Sequence, residues 1–220
     1  MESSELEDHI VIIGWNALGN WVARQLLAAD QQVAVVTDDP SDRDVIREEF
    51  GADSVFVSVN SLNDFSKLDS VRIPSCRKVF VNFANDDDSL IAVLGLQEEF
   101  GSDLAVDVVV HNDDLRDTFY VAGANYTVSP RSLSSRIIAT HVFEQDVGEF
   151  TSEFIHATES DDDIEFQQYR IRSDHPLCGE TYESVFWTLK REYNCVVLGL
   201  SRREPGGGRE LHKLPGDTVL

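Results

Sequence analysis

Short apolar runs alternate with amphipathic segments along most of the chain. The runs have the length and apolar density of strands that are buried on both faces of a sheet, and they lie at residues 9–13, 33–36, 55–59, 78–83, 104–110 and 126–128. The intervening and following segments predict a helix after the first run and further helices at residues 41–50, 61–68, 89–100 and 130–144. This alternation predicts an α/β fold with a doubly wound parallel sheet of strand order 3-2-1-4-5-6.

The first strand leads into its helix through a glycine-containing turn. Gly14 and Gly19 occupy the first and third positions of the G-x-G-x-x-G fingerprint of a Rossmann-like dinucleotide site, and Asn16 occupies the second. A side chain at the second position weakens the nucleotide interpretation, although the helix start still offers free N–H groups to a phosphate. Alternatively, Asn16 caps the helix and the glycines serve the turn and close packing. The residues themselves leave both interpretations open.

Polar residues follow several predicted strands, at the edge where such sheets bind ligands. Asp38 is the candidate for the acid that holds ribose hydroxyls, although it and Asp39 also suit a turn before Pro40. Asp86 and Asp87 begin an acidic cluster that would suit a divalent cation such as calcium or magnesium, or would cap and complement the helix at 89–100.

His111, at the end of the fifth strand, is a candidate ligand or a hydrogen-bonded structural histidine. The residue pattern leaves these two roles open, as it does for the acidic cluster.

The remainder of the chain predicts two further parts. Ser129 and Pro130 are a strong start signal for the helix at 130–144, whose apolar residues predict a subunit interface. We therefore divide the chain into a Rossmann-like domain at 8–145, a crossover helix and acidic linker at 146–163, and an incomplete α+β module at 164–220. The module's predicted elements are strands at 164–171, 195–200 and 209–214 and a helix at 181–192.

The composition is strongly acidic, with a formal net charge of -22 over 220 residues. Nucleic-acid phosphates would be repelled, so we expect no nucleic-acid partner. Such a surface keeps its hydration in concentrated salt, which suggests a halophilic source, with an ordinarily acidic cytosolic protein as the alternative. The acidic start and the lack of a long apolar run predict a cytoplasmic location. Cys76, Cys178 and Cys195 are expected to be free, buried thiols, because their number and spacing indicate neither disulfides nor a zinc site.

The order of several short motifs resembles that of a known family. The motifs are Gly14-Trp-Asn-x-x-Gly19, Ala84-Asn-Asp-Asp-Asp88, Ala122-Gly-Ala-Asn-x-x-Val-Ser-Pro130, His175-Pro-Leu-x-Gly179 and Val196-Val-Leu-Gly-Leu-Ser201. Together they resemble an RCK domain, also called a TrkA-N or KTN domain, followed by a TrkA-C module. The resemblance implies a non-enzymatic regulatory domain that converts ligand binding into gating of a potassium channel or transporter at the inner face of the membrane. It also implies a homodimer formed through residues 130–155, and often an octameric ring.

The resemblance further implies an adenine nucleotide, ATP, ADP or NAD, as the ligand. The corresponding positions are Gly14, Trp15, Asn16, Ala17, Leu18, Gly19, Thr37, Asp38, Asn60, Ser61, Asn82 and Ala84. Two departures stand out, because Asn60-Ser61 replaces the family's Gly-Asp and Thr37 replaces its ribose-binding acid. Calcium-gated members carry carboxylates where this chain has Asn82, Val109 and His111, so we do not expect their calcium site here. A potassium or divalent cation, for instance at Asp86 and Asp87, is a separate possibility.

The sequence is consistent with three functions. The first is a ligand-gated regulatory domain, the second an NAD-dependent oxidoreductase, and the third a structural assembly module with an empty crevice. The altered fingerprint, the short stretch after residue 164 and the lack of an evident acid/base pair count against the oxidoreductase. Ligand binding distinguishes the first function from the third, and turnover distinguishes the second from both.

Overall fold

The computed structural model describes residues 6–51, 54–62, 64–144, 146–147, 151, 168–169, 171–172, 174–203 and 209–213. The chain divides into two compact units, Met1–Glu165 and Phe166–Leu220. The predicted linker at 146–163 and the predicted strand at 164–171 lie largely outside the described residues.

The first unit is built on a six-stranded parallel sheet of order β3-β2-β1-β4-β5-β6, as the sequence predicts. Its strands are β1 (Ile10–Ile13), β2 (Val33–Thr37), β3 (Val55–Val59), β4 (Lys78–Val81), β5 (Val106–Val109) and β6 (Tyr126–Val128). Central β1 pairs with β2 and β4, so that Ile12 lies beside Val35 and Phe80. The strands read as apolar runs because helices cover both faces of the sheet.

Helices and short 3₁₀ segments connect the strands. They are α1 (Ala17–Ala28), α2 (Pro40–Phe50), 3₁₀ turns at Phe65–Val71 and Ile73–Ser75, α3 (Asp86–Phe100), a 3₁₀ turn at Asp113–Leu115, α4 (Arg116–Val121) and α5 (Pro130–Phe143). Residues of α1 and α2, such as Ala23 and Ile46, share one apolar cluster with Ile12. Leu96 of α3 and Phe119 of α4 belong to the cluster on the opposite face. The two faces together form a doubly wound, Rossmann-like layer structure.

Helix starts agree with the sequence analysis at α5 and differ at α2 and α3. Ser129 caps α5, and Pro130 is its first residue. Asp39 caps α2, whose first residue is Pro40, so the helix begins one residue before the predicted range of 41–50. At α3 the cap is Asn85, whose side chain accepts the N–H of Asp88, and not Asp86 or Asp87. Both aspartates lie inside the first turn, where their charge complements the helix dipole, while an N-cap needs extended backbone just before that turn.

The connection between β3 and β4 holds the start of the described chain. Leu6 is fully buried, and its carbonyl accepts a hydrogen bond from Arg72 Nη1 at 3.0 Å. The buried His9 ring contacts the carbonyl of Val71 through Nε2 at 2.7 Å, and the backbone N–H of Arg77 donates to His9 O at 2.8 Å. The predicted helix at 61–68 is instead the 3₁₀ turn at Phe65–Val71, since the chain bends here toward its crossover.

The second unit contributes one helix and a hairpin to the described residues. Helix α6 (Tyr182–Tyr193) is capped by Thr181, and β7 (Gly199–Arg203) pairs antiparallel with β8 (Arg209–Lys213). Strand β7 begins at Gly199, later than the strand predicted at 195–200, and Gly199 pairs with Lys213 of β8.

The thiols are only partly as predicted. All three cysteines are free, but Cys178 and Cys195 are exposed and Cys76 is half-buried, so the expected burial is wrong for the two cysteines of the second unit. In the described part of the chain, no helix combines the length and apolarity that a membrane crossing requires.

Candidate functional site

The carboxyl ends of four neighbouring strands bring the candidate residues of the first unit to one edge of the sheet. Gly14 follows β1 and donates its N–H to Val36 O of β2 at 2.9 Å. Asn82 follows β4 and donates to Ile13 O, and Asn60 follows β3 and donates to Thr37 O, each at 2.9 Å. Strands β1 and β4 flank the point where the strand order reverses, which is where such sheets form a ligand crevice.

Both glycines of the turn are required by close packing. Gly14 has φ of +91°, and a Cβ there would lie 2.5 Å from Asn82 O and 2.7 Å from Phe83 Cδ1. A Cβ on Gly19 would lie 2.9 Å from Asn82 Nδ2. The glycines therefore allow the β1–α1 turn to approach the end of β4, whether or not a ligand is bound.

Asn16 caps α1, which is the alternative role that the sequence analysis gave it. Its Oδ1 accepts hydrogen bonds from the backbone N–H groups of Leu18 at 2.9 Å and Gly19 at 3.1 Å. The same oxygen accepts the side-chain amide of Asn82 at 2.9 Å. Asn16 Nδ2 in turn donates to the backbone carbonyl oxygen of Asn82 at 3.4 Å. Asn82 is 2 % exposed, so a buried amide holds this cap in place.

The other residues of the turn differ in exposure. Trp15 is half-buried and packs edge-to-face on Phe50, with ring centroids 6.3 Å apart. Leu18 packs against the cluster beneath α1, and Ala17 is exposed at the start of the helix. These side chains join the turn to the helical layer and leave the first turn of α1 open on one side.

At the end of β2, two of the three polar side chains are already hydrogen bonded. Thr37 is buried; its hydroxyl donates to the carboxylate of Asp42 and accepts the N–H of Asp39 at 3.2 Å. Asp39 accepts both the hydroxyl and the N–H of Ser41, which lowers the pKa of the Asp39 carboxyl. Asp38 is exposed, and within the described residues it has no hydrogen-bond partner. Of this segment, Asp38 is the carboxylate available to a ligand.

The end of β3 carries the two residues that depart from the family pattern. The Asn60 side-chain amide donates to Ser58 Oγ at 2.6 Å, and that hydroxyl lies 2.8 Å from Ser70 Oγ. Ser61 is exposed beside it. Asn60 therefore ties β3 to the crossover connection, while Ser61 faces solvent.

The acidic start of α3 joins two loops. The carboxylate oxygens of Asp86 accept the backbone N–H groups of His111 and Asn112, each at 2.8 Å. His111 Nε2 donates to Phe83 O at 2.9 Å, because a carbonyl only accepts. His111 thus has the hydrogen-bonded structural role. Both carboxylate oxygens of Asp86 already accept backbone N–H groups.

Two further predicted site residues, near the start of α3, are exposed. They are Ala84, just before α3, and Asp87, in its first turn. In the described part of the chain, no group of three or more His, Cys, Asp or Glu residues suits a metal ion. A cation at Asp86 and Asp87 stays a prediction.

Two contacts that shape the site were not predicted from the sequence. Phe83 packs against Gly14, and Asp42 holds the hydroxyl of Thr37. Asp42 carries a weak local signal, since it lies five residues after Thr37 in the first turn of α2. The sequence contains no signal for Phe83, because the contact depends on how the β4–α3 loop meets the β1–α1 turn.

Comparisons with known proteins match the first unit and its fold. A family model described as the TrkA-N domain matches residues 10–130. No curated protein matches the chain. Among solved structures, the TrkA-N domain of the inner membrane protein YbaL from Escherichia coli has a TM-score of 0.55 at 17% identity, covering 61% of this chain and 96% of that one. The human SLO3 gating ring has a TM-score of 0.63 at 11% identity, covering 96% of this chain and 42% of that one.

The GsuK channel supplies two similar structures that contain nucleotides. The structure bound to NAD has a TM-score of 0.50 at 23% identity, covering 56% of this chain and 22% of that one. The structure bound to ADP has the same TM-score and identity and covers 57% of this chain and 32% of that one. At these identities the likeness establishes the fold alone, and this chain spans less than half the length of the SLO3 and GsuK chains.

Proposed function

The chain belongs to the TrkA-N domain family, and from this premise we propose that it is a ligand-sensing regulatory domain of a potassium channel or transporter. The ligand is an adenine nucleotide, ATP, ADP or NAD, held at the carboxyl ends of β1, β2 and β4. The observation that carries the proposal is the close approach of the Gly14 turn to Asn82 at the switch point of the sheet, the place where such folds bind ligands. The similarity to GsuK structures bound to NAD and to ADP supports it.

The crevice offers groups suited to each part of such a ligand. Asp38 is the exposed carboxylate at the end of β2, where ribose hydroxyls bind in this fold. The first turn of α1 carries the N–H groups and the positive dipole end that bind phosphates. The acidic surface provides no general electrostatic attraction for an anion, so affinity depends on these local groups.

Regulation follows from differential affinity. A ligand that binds one arrangement of the domain more tightly than another shifts the population toward it, and a linked pore then changes its open probability. Residues 130–155 form a homodimer interface in this proposal, because no residue of α5 is buried and Ile138, Val142 and Phe143 are 61%, 78% and 88% exposed. An octameric ring, a TrkA-C module at 164–220 and a pore-forming membrane partner complete the proposed assembly, which catalyses no reaction.

One observation favours a second candidate, a structural assembly domain with no ligand. Asn16 already fills the hydrogen-bonding capacity of the Leu18 and Gly19 N–H groups that a phosphate would use. A domain that never binds a nucleotide would be stable in this arrangement.

Thermal unfolding of the full chain in molar potassium chloride distinguishes the two candidates. The ligands are ADP, ATP, NAD and NADH, with a cyclic dinucleotide and calcium as further arms. A ligand at 100 times its dissociation constant stabilises the folded state by about 2.7 kcal/mol, which raises the Tm by roughly 5–10 °C for a chain of this size. Asp38→Ala should reduce the shift, and Asp44→Ala, at an exposed position on α2, should leave it unchanged. A Tm that no adenine nucleotide changes would favour the assembly domain.

A further inference from the structure

Asn16 stands at the fingerprint position that is glycine in dinucleotide sites, and its side chain lies over the first turn of α1. We propose that Asn16, held by Asn82, is an internal competitor of the ligand's phosphate, so that the resting crevice discriminates against phosphorylated ligands until Asn16 turns away. This inference rests on the proposed function and concerns the regulation of the same site.

The competition is for particular N–H groups. The first N–H groups of a helix have no partner within the helix, and a phosphate at a helix start takes them. In α1 the N–H groups of Leu18 and Gly19 both donate to Asn16 Oδ1, at 2.9 and 3.1 Å. A phosphate oxygen that uses these donors must therefore displace the Asn16 side chain.

Asn82 makes the competitor stronger than an ordinary cap. Its buried amide adds a third donor to Asn16 Oδ1, at 2.9 Å, and Asn16 Nδ2 lies 3.4 Å from the carbonyl of Asn82. The oxygen thus accepts three N–H groups from two segments, as a bound phosphate oxygen would. When Asn16 turns away, a ligand oxygen can satisfy the same three donors, so the exchange has two defined states.

The exchange also changes a link between two strands. Asn16 follows β1 and Asn82 follows β4, and their side chains join the two sides of the crevice. A phosphate in place of the Asn16 carbonyl removes this direct link and inserts the ligand between the two segments. No lysine or arginine is among the predicted site residues, so the α1 donors carry most of the phosphate affinity.

Calorimetric titration of the full chain with adenosine and with ADP, in molar potassium chloride, tests the inference. Asn16→Gly removes the competitor, and glycine is among the residues accepted at an N-cap, so the variant should fold. We expect its ADP dissociation constant to be about tenfold lower than that of the wild type, the equivalent of one or two net hydrogen bonds, and its adenosine dissociation constant to be unchanged. Asn112→Gly makes the same substitution at another cap, which accepts only the N–H of Asp114, and should change neither value.

The outcomes separate this inference from the proposed function. Equal ADP affinity in the wild type and Asn16→Gly would overturn the inference and leave nucleotide sensing intact. ADP binding by Asn16→Gly alone would support the inference and overturn nucleotide sensing by the wild-type chain. If neither protein binds adenosine or ADP, both proposals fail.

A spectroscopic readout requires no variant. The side-chain amide resonance of Asn82 in ¹⁵N-labelled wild-type protein should shift on addition of ADP, because its acceptor is exchanged, and should shift much less with adenosine. Equal shifts with both ligands would contradict the displacement of Asn16.

Discussion

At the scale of single residues, Gly14 is the position where backbone conformation and crowding act together. Its φ of +91° is unfavourable for any residue with a Cβ, and a Cβ there would lie 2.5 Å from Asn82 O, a backbone atom that has little freedom to move. Gly101 has a similar φ of +90° with no atom within 4 Å of the corresponding Cβ. Comparing Gly14 with Gly101 therefore separates the cost of the backbone conformation from the cost of crowding.

We expect Gly14→Ala to lower the free energy of unfolding by at least twice as much as Gly101→Ala. The conformational penalty alone is about 1 kcal/mol or more, and it applies to both variants. Only the first variant forces β4 away from the β1–α1 turn. Urea unfolding of both variants measures the difference, and equal destabilisation would show that the turn relaxes freely around a side chain.

At the scale of elements, the start of α3 shows which residue of an acidic cluster is the cap. Asn85 has extended backbone and accepts the N–H of Asp88 at 2.8 Å, whereas Asp86 and Asp87 are already helical. The local sequence contains several good capping residues in succession, so the choice among them depends on where the chain leaves β4.

Substitution of the cap should cost more than substitution of its neighbour. Asn85→Ala is expected to lower the free energy of unfolding by about 1 kcal/mol through the lost cap. Asp87→Ala removes only a favourable interaction with the helix dipole, with an expected cost of roughly 0.3–0.5 kcal/mol at low salt. Equilibrium unfolding of the two variants at one ionic strength is the measurement. The reverse order would place the cap at the aspartate.

The segment before β1 is an element whose stability depends on pH through His9. The ring is buried; its Nε2–H donates to Val71 O, and Nδ1 has no partner within the described residues. Burial lowers the pKa of His9 below its ordinary 6.5, the hydrogen bond to Val71 partly opposes this shift, and the nearby Arg72 charge lowers it further, with Asp8 acting in the opposite direction. The folded state therefore holds the neutral ring.

Stability from this neutral ring is fully present above the unfolded pKa of 6.5 and is lost as the pH falls from there toward the lower folded pKa. Below pH 6.5 we expect the free energy of unfolding to decline, by at most about 1.4 kcal/mol per pH unit from this group. His9→Asn should be less stable at pH 7.5 and should show a smaller decline to pH 5.5. His175→Asn, at an exposed position, is the control. An unchanged decline in His9→Asn would exclude His9 as the cause.

At the scale of the whole molecule, the net charge of -22 over 220 residues dominates. Like charges on one surface repel one another over about 10 Å at 0.1 M salt but only about 3 Å at 1 M, so concentrated salt removes a destabilising term. The proposed halophilic source follows from this composition. The proposed ligand, an anion, must bind against the repulsion from the same negative charges.

We expect the Tm to rise on the order of 5 °C or more between 0.1 M and 2 M potassium chloride. A variant in which the exposed Asp44, Asp103 and Asp117 are all changed to Asn carries less charge and should show a smaller rise. Scanning calorimetry of both proteins at the two salt concentrations is the measurement. A wild-type Tm independent of salt would contradict the halophilic proposal.

The sequence by itself determined the features that depend on neighbouring residues. Apolar runs predicted the six strands and their order, Gly14 marked the β1–α1 turn, and Ser129 marked a helix cap, while a cap was one of two possible roles for Asn16. These signals are local, because strand burial, turn conformation and capping each involve residues within a few positions of one another. The strand ends then placed the candidate residues at one edge of the sheet.

Only the tertiary structure decided which of these residues meet. Asn16 and Asn82 are 66 positions apart, and Asp86 reaches His111 across 25. Such contacts depend on two loops approaching to within hydrogen-bonding distance of each other, which no local pattern contains. The same reason explains why the burial of His9 and the exposure of Cys178 became evident only in the folded chain, since both depend on what distant segments cover.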